Sequence, residues 1–234
     1  MATKSIRFLL ILPFFFLLGC GYSSGQQTVP EAENGRLNLR NWDFEHNGSI
    51  QLKGEWQFFW NQLLDFNDIQ NTHALSQNTY MPVPGLWEGD KVEVNNSGFA
   101  TYRLKVRLND TLTEPAIKIM AISTAVRVFV DENLVGEVGT VGESPNQFKA
   151  KIQPQIVPFE HDGTDMEIIV QVANFTGLKG GIWDPFYLGN FKDLQTQYSS
   201  NIAIDFFLFG SIFIIGLYHI ISFLYWRKDR APLY

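Results

Sequence analysis

A single cysteine, Cys20, in 234 residues leaves no partner for an internal disulfide and too little sulfur for a zinc cage. Cations are the minority charge: 18 Lys plus Arg against 24 Asp plus Glu, a formal charge of −6. That balance opposes attraction to phosphate backbones and excludes a nucleic-acid partner. Histidines are few, and His46, His73 and His161 lie far apart with no ligand spacing, so neither a metal nor any other cofactor is expected. Helical periodicity is scarce as well. Only Asn61 to Phe66 reads as a helical turn, so a parallel sheet lacks its crossover helices.

What is present is apolar: 45% hydrophobic and 15% aromatic residues, fitting one globular domain with short extra segments. Lys4 and Arg7, the apolar run Phe8 to Leu18, and Gly19-Cys20 follow the order of a secretory signal over residues 1–19. The 11-residue run is too short to span a bilayer. Leu17-Leu18-Gly19-Cys20 resembles a bacterial lipobox, which implies lipidation at Cys20; a chance cysteine beside an ordinary cleavage site is the alternative.

A second apolar stretch, Ile202 to Trp226, holds 25 residues with Asp205 as its one charge, enough for a transmembrane helix. Arg227, Lys228 and Arg230 follow it, which places residues 227–234 in the cytoplasm and the preceding domain outside an inner membrane. His219 lies deeper, either facing further helices or tolerated as a neutral side chain. The chain stops eight residues after Trp226, which reads either as a truncated frame or as a short inner tail.

Residues 20–35 are rich in Gly, Ser, Gln, Pro and Glu and read as a flexible tether. The domain is expected over 36–200. From residue 20 to 201 there are 13 basic and 22 acidic residues, a net −9, so its surface favours neutral or cationic ligands over anionic ones. Ala100, Tyr102, Leu104, Val106 and Leu108 alternate with Thr101, Arg103, Lys105 and Arg107, the pattern of a half-buried strand. Ala116 to Ile122, Ala125 to Asp131 and Met166 to Ala173 are further strands separated by turn residues. The fold expected is all-β, an antiparallel sandwich of jelly-roll size.

Gly54-Glu55-Trp56-Gln57-Phe58-Phe59-Trp60-Asn61, then Val83-Pro84-Gly85-Leu86-Trp87, then Gly98-Phe99-Ala100-Thr101-Tyr102-Arg103 resemble the galactose-binding-like jelly roll of family 2 glycoside hydrolases. With Asn38-Leu39-Arg40-Asn41-Trp42-Asp43-Phe44, Val135-Gly136-Glu137-Val138-Gly139, Asn174-Phe175 and Gly180-Gly181-Ile182-Trp183, the chain is similar to the extracytoplasmic domain and first membrane helix of bacterial seven-transmembrane receptors with diverse intracellular signalling modules. Asp131-Glu132-Asn133 stands where the sugar-binding relatives favour Asn-Gly.

The resemblance implies a sensor input domain for a carbohydrate or other small molecule. It also implies further membrane helices and a cytoplasmic output beyond this chain, and no catalysis within it. A carbohydrate-binding lipoprotein without output is the alternative, and a sandwich that mediates homodimerisation is another.

Trp183 is the leading candidate for stacking on a ligand, because it follows Gly180 and Gly181 in a loop. Asn174, at a strand end, is either a hydroxyl-binding residue or a turn residue. Arg103 faces either a ligand or a neighbouring carboxylate. Trp87 follows a Pro-Gly turn and is either a platform or a core residue.

Overall fold

The computed structural model describes residues 29–71, 79–87, 96–120, 124–176 and 179–226. The signal segment and Cys20, together with His73 and the basic residues after Trp226, lie outside the described residues. Among the described residues eleven strands form two sheets. The larger contains β1 (Arg36–Asn38), β3 (Gly54–Trp60), β4 (Tyr80–Val83), β5 (Gly98–Arg107), β7 (Ala125–Val130), β8 (Asn133–Val138) and β10 (Asp165–Asn174). Its order is β4-β3-β5-β10-β7-β8, with β1 paired alongside β5. The smaller sheet runs β2 (Ile50–Gln51), β11 (Tyr187–Asn190), β6 (Pro115–Ile119), β9 (Gln155–Pro158). Between these strands every pairing is antiparallel except β1 with β5. The expected all-β antiparallel sandwich is the architecture found, with the parallel β1–β5 pairing as an addition.

The alternation along β5 sends Ala100, Tyr102, Leu104 and Val106 into the core, where each is at most 2% exposed. They meet Trp56 and Phe58 of β3, Val126 and Val128 of β7, and Ile117 and Leu188 of the smaller sheet in one continuous cluster. Burial of this much apolar surface is the main force closing the sandwich. β10 is buried along nearly its whole length. Between Met166 and Ala173 only Glu167 and Gln171 interrupt its apolar run, both on the outer face, where Glu167 meets Arg103 and Gln171 Nε2 donates to Leu64 O.

Several boundaries move. The predicted strand ending at Asp131 stops at Val130, because Asp131 adopts a positive φ of 51° and opens the turn to β8. The strand predicted from Ala116 begins one residue earlier and ends at Ile119. The predicted helical turn at Asn61–Phe66 is mostly loop, and the helix is α2 (Phe66–Asn71). A four-residue helix, α1 (Phe44–Asn47), was also unforeseen. Asp43 caps it, its Oδ1 accepting from the backbone N–H groups of Glu45 at 2.9 Å and His46 at 3.2 Å. Slight desolvation pushes the Asp43 carboxyl up, but its bonds with the side chain and backbone of His46 and the backbone of Glu45 outweigh that and hold it below its usual value.

The segment expected as a tether already meets the domain before Arg36. Ala32 is 3% exposed and bridges Gly54, so the residues just before Arg36 belong to the domain. At the other end, α3 (Phe191–Trp226) is 36 residues long and starts eleven residues before the predicted Ile202, directly after β11. Its first turns lie on the smaller sheet, with Leu194 fully buried. From Ile202 onward the large apolar side chains are exposed on all sides, Phe206 and Phe207 above 70%. The helix is long and apolar enough to cross a membrane.

Candidate functional site

Trp87 is a core residue rather than a platform. It is fully buried, its Nε1–H donates to Tyr102 Oη at 2.7 Å, and it meets Trp60 edge-on at 5.0 Å. Burial pushes the Tyr102 phenol far above its usual value, against the smaller opposite pull of hydrogen bonds from Trp87 and the Ile182 backbone. The segment 85–87 lies beside 180–182, Gly85 N–H donating to Ile182 O at 2.7 Å and Trp87 N–H to Gly180 O at 2.9 Å. A Cβ on Gly180 would strike the Trp87 ring and lie 2.6 Å from Asn96 O. The glycine pair therefore serves the packing of Trp87.

Trp183 itself is half-buried against the main core, and its Nε1 is buried with no hydrogen-bond acceptor among the described residues. Asn174 is fully buried and behaves as a turn residue: its Nδ2 donates to Asn96 O at 2.8 Å, while its Oδ1 accepts from Thr176 N at 3.2 Å and Oγ1 at 2.7 Å. Arg103 is 6% exposed. Its Nε and Nη2 donate to the two carboxylate oxygens of Glu167 at 2.8 and 3.0 Å, and its Nη1 donates to Gln57 Oε1 at 3.2 Å. Of the two alternatives for Arg103 the neighbouring carboxylate is the one found, and the pair is buried. Trp87 and Asn174 thus meet at Asn96 and the loop that carries Trp183, whereas Arg103 lies on the outer face of the larger sheet with Glu167 and Gln57.

That outer face is covered unevenly. Over one half, the loop before α2 folds back: Leu64 N–H donates to Thr101 Oγ1 at 2.9 Å, and Gln171 Nε2 donates to Leu64 O at 3.1 Å. Ala125, Val141 and Ala173 pack there with Leu63, Phe99, Phe148 and Phe175 as a second, smaller apolar cluster. Over the other half the face is open. There α2 forms the wall of a cleft of about 610 Å³.

The floor of this cleft is a charge grid set by strand register. Arg36 of β1 stands opposite Lys105 of β5, which stands opposite Glu167 of β10. One step along, Asn38, Arg107 and Asp165 repeat the arrangement. Asp131 closes one end, and Phe66 and Gln70 of α2 overhang the side. All three carboxylates are engaged: Glu167 by Arg103 at 2.8 Å, Asp165 by Arg107 at 2.9 Å, and Asp131 by His161 Nδ1 at 2.9 Å. Among the described residues, Arg36 and Lys105 have no such partner.

Of the predicted residues only Arg103 touches this cleft, through Glu167. The alternation of β5 already aligned Arg103, Lys105 and Arg107. What was illegible was the neighbour, because β1 is three residues long and joins β5 from a distant part of the chain. Among the described residues no cluster of His, Cys, Asp and Glu has the arrangement of a metal site.

No family model matches the sequence, and neither does any curated protein. Solved structures similar to it include a putative β-galactosidase from Bacteroides fragilis (16% identity, TM-score 0.43, covering 60% of this chain and 22% of that one). A family 2 β-galacturonidase from Eisenbergiella tayi bound to galacturonate (17%, 0.41, 61% and 24%) and a β-glucuronidase from Ruminococcus gnavus (13%, 0.42, 60% and 28%) are also similar. The chain spans about a quarter of the length of these enzymes.

Proposed function

We propose that this chain is the ligand-binding input portion of a bacterial membrane signalling receptor, with the sandwich exported, α3 crossing the inner membrane and the ligand a carbohydrate or other small molecule. The observation that carries the reading is the junction between the two parts. β11 passes into α3 with no intervening linker, Phe191 N–H donating to Glu114 O at 2.8 Å. A domain that only needs tethering is served by a flexible connection. A strand continuous with a spanning helix instead makes any shift of the smaller sheet a movement of the helix, as two-state coupling requires. The basic residues after Trp226 support the orientation, and we assign no catalytic step to the sandwich.

The test uses the full chain in neutral-detergent micelles against a broad panel of glycans and metabolites. At least one compound is expected to raise the melting temperature saturably and to change hydrogen exchange over residues 190–201. Absence of any saturable shift removes the ligand-binding role. A shift without any change at the junction removes signalling and leaves a membrane-anchored binding domain. Release of the chain from membranes by alkaline carbonate would refute the spanning helix.

A further inference from the structure

Arg36 and Lys105 are cross-strand partners on one face of the sheet. Like charges placed opposite each other oppose sheet formation, and in a domain of net −9 over residues 20–201 a carboxylate between them would have been an easy remedy. The nearest one in register, Glu167, is committed to both arms of the Arg103 guanidinium. Arg107 spends its charge on Asp165. Among the described residues the cleft is thus left with two adjacent cations that no carboxylate engages, in a domain whose net charge is acidic.

We infer that this cleft binds a sugar acid, whose carboxylate bridges Arg36 and Lys105. The inference rests on the proposal that the chain is a ligand-binding domain, and it replaces the expectation that neutral or cationic ligands are preferred. A guanidinium donates two parallel N–H···O bonds to a carboxylate, and an ammonium adds a point charge. Asn38 and Gln70 offer amide groups that both donate to and accept from hydroxyls. Phe66, half-buried at the wall, offers a ring face to the C–H side of a pyranose. A volume of about 610 Å³ falls within the usual range for small-molecule sites.

The experiment is isothermal titration of the full chain in neutral-detergent micelles with glucuronate and galacturonate. Glucose and galactose serve as size-matched neutral probes and glucose 6-phosphate as a second anion. Uronate binding is expected to be saturable and weakened by added salt. Arg36→Gln or Lys105→Gln should weaken it about tenfold or more, the loss expected for one hydrogen bond to a charged group. Each variant should melt no lower than the parent without ligand, since it removes a like-charge contact; a variant that fails to fold therefore counts against the proposal.

Uronate binding indifferent to both substitutions overturns the inference. So does binding of the neutral hexoses alone, which leaves the ligand-binding reading standing with a different site. Binding of the phosphate in preference to the uronates overturns the sugar acid while retaining the cationic pair. Absence of heat with every probe overturns the inference, and the broad panel then decides the parent reading separately.

Discussion

The side chain of Asn190, the last residue of β11, reaches across to the loop before β6, where its Oδ1 accepts the backbone N–H groups of Thr113 at 3.0 Å and Glu114 at 3.1 Å. One residue later α3 begins. Asn190 therefore clamps the start of the helix to the edge of the smaller sheet. Replacing it by Ala removes one acceptor from two donors that can turn to water, costing about 1 kcal/mol. The expected outcome for Asn190→Ala is faster hydrogen exchange confined to residues 190–195, with Asn190→Asp restoring protection. Unchanged exchange would show that the β11–β6 pairing alone holds the junction.

Tyr102 sets an alkaline limit on stability. Its phenol pKa is raised in the folded chain, so above about 10, where an unfolded tyrosine ionises, the unfolded state releases a proton that the folded state retains. Stability is complete below that pH and declines as pH rises through and beyond it. In a titration followed by tyrosinate absorbance and near-ultraviolet circular dichroism, one tyrosine should ionise only as tertiary structure is lost. Its ionisation in the intact fold would contradict the burial.

Tyr102→Phe tests the other side of the same contact. It leaves the buried Trp87 N–H without its acceptor at 2.7 Å, and a loss of about 1–3 kcal/mol in urea unfolding is expected. Full stability would mean that water or a backbone carbonyl takes over.

Arg103 and Glu167, 7% and 10% exposed in their side chains, form a pair whose members depend on each other. Arg103→Met strands a buried carboxylate and should cost about 3–5 kcal/mol, whereas the double change with Glu167→Leu should recover much of that loss. A double-mutant cycle in urea measures the coupling. Additive losses would mean that the pair is effectively solvated.

Gly180 marks a steric limit. Gly180→Ala drives a methyl group into the Trp87 ring and should cost about 1–3 kcal/mol by overpacking. Gly210→Ala, where an added Cβ meets nothing within 4 Å, is the control and should leave the melting temperature of the sandwich unchanged.

The amino-acid sequence determined which side of β5 is apolar and where a bilayer-length helix lies. Period-two alternation in β5 and the apolar run from Ile202 are local patterns, and the energies behind them depend mainly on each segment's own side chains. Tertiary structure alone decided what the polar side of β5 meets. Thr101 and Arg103 are covered, Lys105 and Arg107 open into a cleft, and Arg36 arrives beside Lys105 from some seventy residues away. Trp87 and Asn174, which are fully buried, looked available for the same reason. A loop's sequence shows its chemistry, whereas the burial of that chemistry depends on distant segments that pack on it only after the sheets have paired.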